Sequence, residues 1–90
     1  MTTIYKYPLL LEHVNEIRMP QGATILSVQT QGEKQDVSMW AIVDTDKTPE
    51  RRTFVIFGTG HSFHLMDYKY LGTVQFLDGE LVYHVFETTL

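Results

Sequence analysis

The segment Arg52-Thr-Phe-Val-Ile-Phe-Gly-Thr-Gly-His61 holds the residues best suited to chemistry. Phe54 to Phe57 are apolar at every position, the pattern of a strand covered on both faces. Gly58 and Gly60 then free the backbone for a sharp turn. Successive amides in such a turn can converge on an anion, with the Thr59 hydroxyl and His61 assisting. The motif has neither the lysine and spacing of a P-loop nor the three glycines of a dinucleotide fingerprint. The plainer reading is a strand-ending turn that uses glycine for its geometry.

His61, His64 and His84 could supply three imidazoles to zinc, but no carboxylate or fourth histidine stands at a familiar spacing. No metal or cofactor is therefore assigned. A hydrolase would draw on His61 or His64, with Ser62 and Asp67 nearby. Triads, however, are built from distant elements rather than from sequence neighbours. The chain reads as a non-enzyme.

Aromatic residues are more informative. Tyr5, Tyr7, Trp40, Phe63, Tyr68, Tyr70 and Tyr83 are rings that stack on bases, line pockets or anchor interfaces. Lys69 lies between Tyr68 and Tyr70, just after the glycine turn. Gly58, Thr59, Gly60, His61, Lys69 and Tyr70 together would suit a planar, phosphorylated ligand. Arg51 and Arg52 begin the strand that Gly58 ends, about 23 Å away at ~3.3 Å per residue. They could reach such a site only from a neighbouring subunit.

The elements that must position these residues are strands. β-branched and aromatic runs punctuated by Gly, Pro and Asp predict strands near Thr3–Tyr7, Val14–Met19, Thr24–Gln31, Val37–Asp44, Arg51–Gly58, Tyr68–Leu77 and Glu80–Glu87. Asp78-Gly79 is a favoured two-residue hairpin turn. It sets Phe76 opposite Leu81, Val74 opposite Tyr83 and Thr73 opposite His84. In Thr24–Gln31, Leu26 and Val28 are expected to point inward and Ser27 and Gln29 outward.

Met39–Val43 and Phe54–Phe57 are expected to form one sheet centre, joined by the polar turn Thr45–Glu50. Gln31–Asp36 reads as an exposed hairpin loop. A regular meander places the Gly58–Asp67 loop beside the end of the last strand, and the Asp78-Gly79 turn at the opposite end. The expected fold is a single all-β domain over residues 1–90, a small antiparallel barrel or sandwich of meander topology. One short helical turn is expected near Ser62–Asp67.

Composition narrows the function classes. The chain has 90 residues, no cysteine and a net charge of −4. Disulfide frameworks and cysteine-based zinc sites are excluded. The acidic balance and the lack of a basic stripe argue against nucleic acid as a partner. No apolar run approaches the ~18 residues that span a bilayer, and no leader is visible, so a cytoplasmic protein without a membrane partner is expected. Apolar residues on both faces of several strands point to a homo-oligomer.

Ile4-Tyr-Lys-Tyr-Pro8, Met19-Pro20, Gly22-Ala23, Ile25-Leu-Ser-Val28, Trp40-Ala-Ile-Val-Asp44, Phe57-Gly-Thr-Gly-His61, Tyr70-Leu-Gly-Thr73, Phe76 and Val82-Tyr-His-Val-Phe86 follow one another along the chain. In that order they resemble a family of short all-β proteins found in bacteriophage and prophage genomes. The resemblance covers nearly the whole chain and brings no catalytic residues with it. The family's loop is more acidic where this chain has His64-Leu-Met66. The resemblance implies an accessory protein in the cytoplasm of an infected bacterium, of a kind that counters host defence by binding. Some such proteins sequester nucleotide signals. The expected partner is thus a small phosphorylated ligand or a host protein. The alternatives are inhibition of a host defence enzyme, through Glu33, Asp36, Asp44, Asp46 and Glu50, or a small hydrolase using His61 or His64.

Overall fold

A computed structural model describes residues 1–31 and 36–89. Its strands are β1 (Thr2–Leu9), β2 (Val14–Pro20), β3 (Thr24–Gln31), β4 (Asp36–Asp44), β5 (Pro49–Gly58), β6 (Tyr68–Phe76) and β7 (Leu81–Thr88). All pairings are antiparallel and form two sheets, ordered β1-β4-β3 and β2-β5-β7-β6. The fold is all-β, an open two-layer sandwich. Among the described residues, no helix is long and apolar enough to cross a membrane.

Alternation decides what each sheet buries. Val37, Met39, Ala41 and Val43 of β4 face Phe54 and Ile56 of β5, Val74 and Phe76 of β6, and Val85 of β7 in one core cluster. The sheets meet along β3 and β6, where a Cβ on Gly72 would stand 3.4 Å from Val28 Cβ. A bulge between Ile25 and Ser27 interrupts β3. It reverses the expected facing there: Ile25 packs on the core and Leu26 is exposed.

Two polar devices fix the places where the sheets are joined. Between β1 and β2 the buried Asn15 amide accepts from Leu10 N at 2.9 Å and donates to Leu10 O at 3.0 Å. Between the sheets, the Arg52 guanidinium of β5 grips Glu87 of β7 at 2.6 and 2.7 Å and donates to the Ala23 carbonyl ahead of β3. Hydrogen bonding to Glu87 raises the Arg52 pKa, against the opposing effect of burial.

Strand order departs from a meander. Among the described residues, only β3–β4 and β6–β7 pair as sequence neighbours within one sheet. β4 and β5 are central strands of different sheets, so the Thr45–Glu50 turn joins the sheets instead of two paired strands. β7 lies between β5 and β6, with Phe57 opposite His84 and Thr73 opposite the same His84. This insertion brings the Asp78-Gly79 turn to the Gly58 end of the sheet, and carries the end of β7 to Thr53. Both placements reverse the expected ones, because β7 runs antiparallel to β5.

The last hairpin keeps its predicted register, Phe76 to Leu81 and Val74 to Tyr83. Asp78 and Gly79 have φ of 54° and 90°, and Glu80 N donates to Leu77 O at 3.1 Å. An Asp-Gly pair tolerates those angles, but Leu77 also takes a positive φ, 49°, so the loop spans four residues, 77–80, instead of the expected two. The only helical turn among the described residues is this 3-10 segment, Leu77–Gly79, and not Ser62–Asp67. The connection 59–67 must run from Gly58 back to the level of Thr53, about 17 Å at ~3.3 Å per residue. The tight turn closed by His61 N and Gly58 O uses up the first three residues of that connection, and coiling the remaining six into a helix would advance only ~9 Å. The tip of the predicted Gln31–Asp36 loop lies outside the described residues.

Arg52→Ala removes one partner of a half-buried pair and leaves Glu87 and the Ala23 carbonyl unmatched. We expect a loss of about 1–3 kcal/mol, below the cost for a fully buried pair because both side chains retain some water. Urea unfolding should show a lower midpoint with an unchanged slope.

Candidate functional site

β5, β7 and β6 expose one face away from the core, and the connection 59–67 lies across it. Phe57 and Phe86 alternate outward, opposite the buried Ile56 and Val85. Phe63 stacks on Phe57, with centroids 3.9 Å apart and planes 8° from parallel. His13 meets the Phe57 ring edge-on at 4.8 Å. Tyr68 and Tyr70 approach Phe86 at 5.9 and 5.7 Å. The result is a continuous aromatic surface in which Phe63 and Tyr70 remain 43% and 57% exposed.

A polar chain borders the rings. Thr59 Oγ1 and His84 Nε2 share a hydrogen bond of 2.6 Å, and His84 Nδ1 and Thr73 Oγ1 share one of 3.0 Å. Tyr70 OH and Thr73 Oγ1 are 2.6 Å apart. A neutral imidazole offers one donor and one acceptor. One threonine therefore donates to His84 and the other accepts from it. The pairing of Thr73 with His84 is legible from the hairpin register. The approach of Thr59 is not, because it depends on β7 lying beside β5.

The glycine turn is built for geometry. His61 N donates to Gly58 O at 3.1 Å, and Gly60 takes a φ of 88°. The His61 ring folds onto Gly58, where a Cβ would fall 2.7 Å from it. Thr59 N extends the sheet by donating to Val82 O at 3.0 Å. Two of the amides that an anion cradle would need are thus bonded within the protein. A depression of about 360 Å³ opens between this turn and the start of β7, with Thr59, His61 and Glu80 among its polar residues. The Glu80 carboxylate disfavours a phosphate there.

The six residues read from sequence are divided. Gly58, Thr59, Gly60 and His61 form the turn, and Tyr70 joins Thr59 through Thr73 and His84. Lys69 alternates to the other side of β6 and borders a separate depression with Asp67, Glu87 and Thr89. His84, Thr73, Phe57, Phe63 and Phe86 complete the surface. Of these, Phe63 is among the rings singled out in the sequence, but its seat on Phe57 follows only from the path of the crossover. Among the described residues, no three His, Asp or Glu side chains gather as a metal-holding group, so His61, His64 and His84 are not assembled as ligands.

These features define a small all-β domain with one aromatic, hydroxyl-rich sheet face. The chain belongs to the family described as Domain of unknown function (DUF7352), whose model matches residues 1–90. No curated protein and no solved structure matches the chain.

Phe63→Ala removes the contact that seats the crossover. Stability should fall by about 1–2 kcal/mol, less than the 3–5 kcal/mol of a fully buried ring. Amide exchange should accelerate chiefly over residues 59–67. Unchanged exchange in that segment would show that the stack does not hold it.

Proposed function

We propose that the protein is a non-enzymatic binder that sequesters a nucleotide-type signalling molecule, and that it serves an infecting phage by countering host defence. The observation that carries this reading is the exposed aromatic surface bordered by Thr59, His84, Thr73 and Tyr70. A nucleobase stacked on Phe63 or Tyr70 would gain roughly 1–3 kcal/mol. The neighbouring hydroxyls and imidazole would bond its edge or a ribose. With the Thr59 and His61 amides engaged and Lys69 on the other side of β6, base and sugar supply most of the affinity.

A thermal-shift and calorimetric screen against cyclic mono-, di- and trinucleotides and ADP-ribose derivatives tests this. Ligand at ~100 times its dissociation constant stabilises the fold by about 2.7 kcal/mol. Tyr70→Ala and His84→Ala should each weaken binding at least tenfold, while Lys69→Ala changes it less than about twofold. A tenfold loss with Lys69→Ala would move the site to the depression beside Asp67. No shift across the panel would favour the second reading, inhibition of a host defence enzyme by protein contact. One observation favours that reading: the outer face of the three-stranded sheet exposes Ile4, Leu26 and Ile42.

A further inference from the structure

The two sheets leave two lateral strands unpaired on one side, β1 and β2. Proteins ordinarily guard such edges with charge or proline. β2 is guarded: it carries Glu16 and Arg18, with Arg51 3.8 Å from Glu16, and it ends in Pro20. The β1 edge has a proline only near its end, Pro8, and is otherwise different. Lys6 is the one charged residue in the strand, and its Nζ is drawn back across β4, donating to Gln31 Oε1 and lying 5.8 Å from the Trp40 ring centroid. Ile4 is 57% exposed, and Ile42 beside it in the sheet is exposed as well.

The ladder shows which backbone groups are free on this edge. Thr45 N donates to Met1 O at 2.9 Å, which continues the β1–β4 register. Bonding to one neighbour alternates along an antiparallel strand. The odd residues of β1 therefore bond β4, and Thr2, Ile4, Lys6 and Pro8 direct their main-chain groups outward. Proline at an outward position agrees with this, since it has no N–H to lose.

We propose that β1 pairs antiparallel with β1 of a second copy about a two-fold axis at Ile4, making one continuous six-stranded sheet. In this register Ile4 lies opposite Ile4 of the second copy, and Thr2 opposite its Lys6. Every outward N–H of Thr2–Lys6 finds a carbonyl, and Pro8 falls just beyond the paired segment. Shifting the axis to Tyr5 would place Pro8 opposite Thr2 and forfeit a donor at each end. The second copy is favoured over a foreign strand because the edge is self-complementary in this register. It also brings together two chains of net charge −4 along a strand without carboxylates.

The test is the solution mass of the full chain by sedimentation and light scattering. The unmodified protein should run as a dimer of the 10.4 kDa chain at micromolar concentration. Ile4→Lys sets like charges opposite each other at the axis. Ile4→Pro deletes an outward donor while sparing the β1–β4 bonds. Each should raise the dimer dissociation constant at least tenfold, with circular dichroism unchanged. Because the chain has no cysteine, a short bis-thiol reagent can bridge Ile4→Cys only between copies. Residues facing each other in a hydrogen-bonded pair have Cα atoms about 5.5 Å apart and Cβ atoms wider than a direct disulfide needs, which such a reagent spans. Ile4→Cys should therefore crosslink almost completely with a short bismaleimide, and Leu26→Cys should not. A monomer up to high micromolar concentration, equal crosslinking of the two cysteine variants, or a folded Ile4→Lys protein that stays dimeric would each overturn the proposal.

Discussion

The position of β7 between β5 and β6 is the constraint on which the site depends. Val85 pairs with Ile56 on one side and Gly72 on the other, so the last strand of the chain is an interior strand of its sheet. β5 and β6 then run parallel, and the segment between them has to travel the length of the sheet to rejoin it. A loop that would otherwise hang at one end becomes a strap across the outer face. Phe63 stacks on Phe57 because of that path. Thr59 reaches His84 because β5 ends beside the first half of β7.

The same insertion explains why the last strand is apolar on both sides. Its inner residues enter the common core. Its outer residues, His84 and Phe86, are flanked by Phe57, Phe63, Tyr68 and Tyr70 instead of by a third sheet layer. Double-sided apolarity has a different outcome in β4. There Trp40 and Ile42 face away from the core, and among the described residues no connection crosses above them. Two strands with like composition thus have one outer face crossed by the chain itself and one that the described residues leave open.

The candidate site shows how far residue type can be read as role. The two glycines signal a sharp turn, and the turn is present. Its amides close the turn and extend the sheet rather than forming an open cradle. Lys69 is separated from Tyr70 by the alternation of the strand that carries both. His84 looks from sequence like one half of a cross-strand pair. In three dimensions it is the centre of a hydrogen-bonded chain, because its second ring nitrogen meets a strand distant in sequence.

The sequence by itself determined that the domain is all-β, where each strand lies to within a few residues, and the register of the Asp78-Gly79 hairpin. These follow from local physics: two-residue alternation, breakers between runs, and a turn whose two central residues both accept positive φ. Tertiary structure decided the strand order, the division into two sheets and the path of residues 59–67. It also decided the facing of Leu26 and the meeting of Thr59 with His84. Each of these rests on pairing between segments distant in the chain. Such pairing is chosen by which apolar faces can be buried together, and no single segment carries that information.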